Sequence, residues 1–166
     1  MGALDGRIAI ITGGGNGIGA SISRYFAREG ARLVINDLGA NTDGTGGDAG
    51  PAQRVADEII AAGGEAIADG GDIADVATGE RLVKMAVDTY GGLDIVVNVA
   101  GILRDRMMFN LSEADWDAVI RVHLKGTFAP THFASIHWRQ RREEGARLIV
   151  FTSGAGINGS AGQPNY

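Results

Sequence analysis

No cysteine occurs among the 166 residues, which excludes a disulfide framework and a thiolate metal site and suits a reducing compartment such as the cytoplasm. Long apolar runs are missing as well. No stretch approaches the ~18 uninterrupted apolar residues of a membrane-spanning helix. The start, Met1-Gly2-Ala3-Leu4-Asp5-Gly6, lacks the basic region and apolar core of a signal peptide, so no membrane location is expected. Basic charge is scarce: 15 Lys and Arg against 20 Asp and Glu give a net charge of −5 without a basic stripe, which argues against a nucleic-acid partner. What remains, 45% hydrophobic and 21% charged residues, is the composition of one globular domain over residues 1–166 with a sizeable core.

The chain is organised around Ile8-Ala9-Ile10-Ile11-Thr12-Gly13-Gly14-Gly15-Asn16-Gly17-Ile18-Gly19. An apolar run breaks into glycines and then resumes at helical spacing, which predicts a buried strand, a tight turn and the first turn of a helix. The glycines allow close backbone approach. The unpaired N–H groups at the positive end of the helix suit a pyrophosphate, making Gly13, Gly15, Asn16, Gly17, Ile18 and Gly19 candidate binding residues. A ligand-free glycine turn has the same spacing, so the remaining sequence has to decide.

Residues 18–29 carry Ile18, Ile22, Phe26 and Ala27 at helical intervals. Arg32-Leu33-Val34-Ile35-Asn36-Asp37 predicts a second strand whose closing acid stands eighteen residues after Gly19, where a dinucleotide fold places a carboxylate for the adenosine ribose. With Leu38 next and no Arg or Lys beside Asp37, a 2′-phosphate would meet like charge; NAD is favoured over NADP. The alternative for Asp37 is a cap or turn aspartate. Residues 39–50 form a glycine-rich loop; Asp43 and Asp48 within it lack the closing acid of an EF-hand, and no metal site is expected.

Pro51 opens a helix over 51–62 with Val55, Ile59 and Ile60 toward the core. A weak strand at 65–69 leads into Asp72 and Ile73. A helix over 75–90, carrying Val76, Leu82, Met85, Ala86 and Tyr90, precedes a strand at 93–99. Ser112 starts a long helix with Trp116, Val119, Ile120, His123, Leu124 and Phe128 at helical intervals, and Pro130 bends or breaks it. Arg139-Gln140-Arg141-Arg142-Glu143-Glu144 reads as a solvated helix end. A strand at 147–153 passes into a glycine-rich loop running to Tyr166. Strand–helix alternation throughout predicts an α/β fold, a doubly wound parallel sheet in the order 3-2-1-4-5.

These residues resemble the short-chain dehydrogenase/reductase family across essentially the whole chain. Thr12-Gly13-Gly14-Gly15-Asn16-Gly17-Ile18-Gly19 is similar to its cofactor motif. Asn98-Val99-Ala100-Gly101 is similar to its Asn-Asn-Ala-Gly motif, with valine at the second position, and Ser153 precedes Tyr166 by the family's thirteen residues. Asn36-Asp37-Leu38-Gly39, Ala100-Gly101-Ile102-Leu103-Arg104-Asp105-Arg106 and Val122-His123-Leu124-Lys125-Gly126 resemble the dehydrogenase part of type 2 multifunctional β-oxidation enzymes, which oxidise (3R)-3-hydroxyacyl-CoA with NAD.

The resemblance implies a Rossmann-type fold and interconversion of a secondary alcohol and a ketone. It makes Tyr166 the acid/base and Ser153 the hydroxyl that polarises the substrate oxygen. The plainer readings are a loop aromatic and a strand-end hydroxyl bound to local backbone. It places His123 where many members carry an asparagine supporting a proton path; a structural histidine is the alternative. It sets Asp72 and Ile73 beside the adenine, and Ala100 and Gly101 where they leave room for the cofactor. Asn98, counted with the cofactor residues, is expected chiefly to tie neighbouring strands. Met107-Met108-Phe109 reads equally as a substrate entrance or as packing on the sheet edge.

The resemblance further implies homo-oligomers in the full-length form. The family's lysine would fall at position 170, beyond Tyr166, as would the helix and strands that complete its sheet and pocket. A piece of a longer enzyme is therefore expected. A non-catalytic nucleotide-binding module is the alternative. So is a 3-oxoacyl carrier-protein reductase, whose usual NADPH Asp37 argues against.

Overall fold

Strand β1, Ile8–Thr12, is buried at all five positions. Continuous burial is what a parallel strand covered on both faces requires, and it explains why this stretch reads as an apolar run rather than an alternation. The computed structural model describes residues 2–46, 50–142 and 145–166. Asp48, Glu143 and Glu144 lie outside the described residues.

The elements follow as α1 (Gly17–Arg28), β2 (Arg32–Asn36), α2 (Gly50–Ala61), β3 (Glu65–Asp69), α3 (Val76–Tyr90) and β4 (Ile95–Asn98). After a single 3₁₀ turn at Met108–Asn110 come α4 (Glu113–Ile120), a π-turn (Arg121–Lys125), α5 (Gly126–Arg141), β5 (Arg147–Val150) and α6 (Gly154–Asn158). The five strands form one parallel sheet in the order β3-β2-β1-β4-β5, as the sequence predicts.

Alternate residues of β1, β2 and β4 supply two cores. Ala9, Ile11, Leu33, Ile35, Ile95 and Val97 pack beneath Val55 and Ile59 of α2 on one face. Ile8, Ile10, Val34 and Val96 meet Leu82 and Ala86 of α3 and Ala134 of α5 on the other. Helices α3 and α5 approach closely because Gly79 has no side chain: a Cβ there would stand 2.5 Å from the Ala129 carbonyl carbon.

Several expectations about which side chains face inward are corrected. Ile60 is exposed, because Val55, Ala56 and Ile59 define the buried face of α2 and Ile60 lies about 100° around from Ile59. Ile18 and Val76 are also exposed; α1 packs through Gly19, Ala20 and Ser23, and α3 through Thr78, Gly79, Leu82, Val83 and Ala86. The helix expected from Ser112 is interrupted at 121–125 rather than at Pro130, which is buried within α5. Trp116, Leu124 and Phe128 are exposed, since only the side bearing Val119, Ala129 and Ala134 meets the rest of the fold. Met107, Met108 and Phe109 are exposed too, not packed on the sheet edge. The loop expected from Gly154 begins as the short helix α6.

Edge strand β5 is exposed at all four positions, including Leu148, Ile149 and Val150. No described helix is long and apolar enough to cross a membrane.

Candidate functional site

All five strands run the same way, so their carboxyl ends share one edge of the sheet. Chain order reverses between β1 and β4 there, which is where open α/β sheets bind ligands. The glycine turn leaves β1 at this point. Gly13 has φ +64°, and a Cβ on it would lie 2.8 Å from Ala100 Cα in the loop after β4. Gly19 packs its α-carbon against the Gly13 carbonyl, bringing the first turn of α1 against the turn. Asn16 is the N-cap of α1 but its side chain does not cap the helix backbone; its Oδ1 accepts from the Arg54 guanidinium of α2 at 3.4 Å. Beside it Gly17 is open, with nothing within 4 Å of where a Cβ would stand.

Asp37 follows β2 and lies over this turn. One carboxylate oxygen accepts the Gly15 N–H at 2.9 Å and the other accepts the Gly39 N–H at 2.8 Å. No ion pair reaches Asp37 from a described cation, and Leu38 beside it is partly exposed. This arrangement fits a dinucleotide: the Gly14 and Gly15 N–H groups are held by Asn36 and Asp37, the N–H groups beyond them stand at a helix start, and the carboxylate has capacity for further hydrogen bonds.

Asp72 and Ile73 are both engaged in the fold. The Asp72 carboxylate accepts the Ala74 N–H at 2.9 Å and pairs with Arg121 at 2.6 Å. Ile73 is buried, its side chain against Gly126. Arg121 also reaches Asp75 at 3.0 Å, and these two carboxylates hold its guanidinium above the usual arginine range.

Asn98 pairs in the sheet with Thr12 of β1 and Val150 of β5, and its side chain adds a tie from β4 to a helix. Its buried side-chain amide donates to Thr131 Oγ1 of α5 at 3.2 Å. The tie between β1 and the turn after β4 is made by Thr12, whose Oγ1 accepts the N–H groups of Val99 and Ala100 at 3.2 and 3.3 Å.

Past that turn, Gly101 makes room for the imidazole of His123, which would collide with any Cβ there. His123 lies in the π-turn between α4 and α5, a local widening that re-aims side chains. Its Nε2 stands 2.9 Å from the Ile102 carbonyl oxygen and 3.1 Å from the Ile102 nitrogen. The ring meets Tyr166 edge-on, with centroids 5.2 Å apart at 77°.

Ser153 is the N-cap of α6, and its hydroxyl oxygen accepts the Ala155 N–H at 3.2 Å. That contact uses a lone pair and leaves the O–H free to donate. Tyr166 is partly exposed, and its phenol makes no hydrogen bond to a described residue. A cavity of about 370 Å³ lies between the loop after β2 and the loop after β4, lined by Thr42, Asp43, Leu103, Arg104, Asp105, Arg106 and Asp115 and by none of Ser153, His123 and Tyr166. The loop after β2 reaches it through the Thr42 carbonyl, which accepts the Leu103 N–H at 2.8 Å. Thr12, Thr131 and Asn165 are organising residues that the sequence reading did not single out. For Thr12 the signal was present, at the head of the glycine motif.

The short chain dehydrogenase family profile matches residues 7–166. Peroxisomal multifunctional enzyme type 2 of Mus musculus is 43% identical over 163 residues, covering 98% of this chain and 22% of its own length. A hydroxyacyl-CoA dehydrogenase of Mycobacterium tuberculosis is 43% identical over 173 residues, covering 98% and 52%. The crystal structure of a short chain dehydrogenase from Mycobacterium avium superposes with a TM-score of 0.90 at 52% identity, covering 99% of this chain and 58% of that one. The sequence thus spans about half or less of these two curated relatives. With its glycine turn, sheet order and family profile in agreement, the chain belongs to the short-chain dehydrogenase family.

Proposed function

We propose that this chain carries the dinucleotide site and the catalytic tyrosine of an NAD-dependent dehydrogenase/reductase, interconverting a secondary alcohol and a ketone in a reducing compartment such as the cytoplasm. The observation that carries the reading is a shared edge of the sheet. The turn at 13–19, Asp37, Ala100-Gly101 and Ser153 all follow the carboxyl ends of parallel strands, and Tyr166 stands against His123 on that same edge.

Residues 13–19 would hold the diphosphate on backbone N–H groups, and Asp37 would hold the adenosine ribose. Asp72, Ile73, Asn98, Ala100 and Gly101 shape the remainder of the crevice. The lone carboxylate at position 37 sets the preference for NAD. A bound nicotinamide supplies the hydride acceptor for oxidation and the donor for reduction.

The chain's own residues move the proton. Ser153 donates its free O–H to the substrate oxygen and fixes it. Tyr166 takes the hydroxyl proton as the carbinol hydrogen leaves as hydride, and returns it in the reverse direction. A phenol has an ordinary pKa near 10 and is a poor base at neutrality, so it needs positive charge nearby; the family's lysine would stand at position 170, outside this sequence. His123 holds the Ile102 backbone and flanks the phenol.

The substrate class is 3-hydroxyacyl-CoA, supported by the relatives named as hydroxyacyl-CoA dehydrogenase and multifunctional enzyme. The exposed Trp116, Leu124 and Phe128 of α4, the π-turn and α5 would form the self-association face.

The full-length gene product, assayed with NAD and NADP against hydroxyacyl-CoA, steroid and simple alcohol substrates, tests this. NAD-linked turnover of hydroxyacyl-CoA, abolished by Tyr166→Phe, is expected. Dinucleotide binding without turnover of any substrate would instead establish a binding module.

A further inference from the structure

We propose that Asn165 is the positioning residue that sets the Tyr166 phenol in the site; the inference rests on the acid/base role given to Tyr166 above. Asn165 is 7% exposed, whereas Tyr166 beside it is 41% exposed. The Asn165 amide nitrogen donates to the Arg104 carbonyl at 3.2 Å and to the Asp115 carbonyl at 3.2 Å. Both amide hydrogens are therefore committed, to two segments separate in sequence: the loop after β4 and the first turn of α4. Its Oδ1 is buried with no hydrogen-bond partner among the described residues, so the two donations are what this side chain gains from its burial.

Those two segments are the ones that hold His123. Asp115 lies on α4, which runs directly into the π-turn carrying the imidazole. Arg104 lies two residues beyond Ile102, whose backbone the imidazole binds. Asn165 thus closes a ring of contacts: Asn165 to Arg104, Ile102 to His123, His123 to Tyr166. Apart from the Tyr166 ring contact with His123 and the Tyr166 N–H bond to the Gln163 carbonyl at 3.2 Å, the hydrogen bonds from Gly162 and Gln163 to the rest of the fold engage one loop only. Gln163 reaches the exposed carboxylate of Asp105 at 3.2 and 3.3 Å, and the Gly162 carbonyl accepts the Arg106 N–H at 2.8 Å. Among the described residues of 162–166, only Asn165 spans from that loop to α4. Without its clamp the segment stays attached, but the direction in which Tyr166 leaves the backbone is no longer fixed against His123.

The test uses the full-length enzyme with Asn165→Leu, which keeps the volume and removes both donors, and Asn165→Gln, which keeps the amide. A displacement of about 1 Å at the reacting group lowers rate by about 100-fold. The expectation for Asn165→Leu is a kcat loss of that order with KM for both substrates little changed, a displaced kcat–pH profile, and partial recovery in Asn165→Gln. The nuclear Overhauser contact between the His123 and Tyr166 rings should vanish in Asn165→Leu and return in Asn165→Gln. Should Asn165→Leu fail to fold, Asn165→Ser gives the same readouts. Unchanged kcat and an intact ring contact, beside an inactive Tyr166→Phe, overturn this inference alone. An active Tyr166→Phe overturns the acid/base reading and this inference with it.

Discussion

The Asp37 carboxylate takes the Gly15 N–H at 2.9 Å, so the acid that closes one strand is fastened to the glycine turn that follows its neighbour. The same carboxylate also holds Gly39. Asp37 therefore shapes the turn in addition to the ribose-binding role proposed for it. Asp37→Ser removes a charged acceptor, and hydrogen bonds to charged groups contribute about 1.5–3 kcal/mol. Calorimetry on the full-length enzyme should find NAD binding at least about tenfold weaker. NADP binding should weaken less or improve, because the like charge facing a 2′-phosphate is gone. Equal losses for both nucleotides would contradict the assignment.

Gly13→Ala tests the turn itself. The substitution strains a residue at φ +64° and drives a methyl to 2.8 Å from the backbone of Ala100. The left-handed conformation costs a non-glycine residue about 1–2 kcal/mol, and overpacking adds about 1–3. Urea denaturation should show a loss of about 2–5 kcal/mol. Gly63→Ala, at φ +88° with open space around it, is the control and should lose about 1–2 kcal/mol.

The sheet order was legible because each strand is a short apolar run with turn residues after it, and parallel crossovers leave few arrangements. Helix faces were harder to read. Ile60 sits beside Ile59 and has the same chemistry, and only the direction of the sheet tells which one is buried. Trp116, Leu124 and Phe128 follow helical spacing yet face outward, because periodicity marks an apolar stripe without saying what covers it.

Within the candidate site, the glycine turn and Asp37 were visible as residue types whose backbone and charge have few other uses. The π-turn under His123 and the Asn165 clamp were not. The π-turn is a local irregularity that apolar periodicity does not report, and the clamp depends on hydrogen bonds between segments far apart in sequence, for which no local pattern exists.

Asp69, at the end of β3, is held by Arg81 through both of its oxygens, by Asn36 and by the Gly71 N–H. Burial pushes its pKa up, but the Arg81, Gly71 and Asn36 hydrogen bonds outweigh this and hold it below the ordinary carboxylate value. A carboxyl depressed in the folded state adds stability above its unfolded pKa and loses it as pH falls through the folded value. Urea midpoints should therefore drop on acidification below about pH 4 in the parent chain and drop less in Asp69→Asn. At pH 7 the variant should be the weaker by about 1–3 kcal/mol.

Arg121 and Leu82 separate charge from packing. Arg121 joins Asp72 and Asp75 to the π-turn, but its side chain is 45% exposed. Exposed ion pairs typically contribute about 0–1 kcal/mol, since solvent screens them and ordering two long side chains costs entropy. Leu82 of α3 is fully buried between the sheet and α5, and truncating such a residue removes transfer free energy and leaves a cavity. Denaturation at moderate salt should place Arg121→Ala within about 1 kcal/mol of the parent and Leu82→Ala about 2–5 kcal/mol below it. Adding salt should narrow the Arg121→Ala gap and leave the Leu82→Ala gap unchanged, because only the first has a screened Coulombic origin. The reverse ranking would mean that the loop after β3, rather than the α3 core, holds this face of the sheet together.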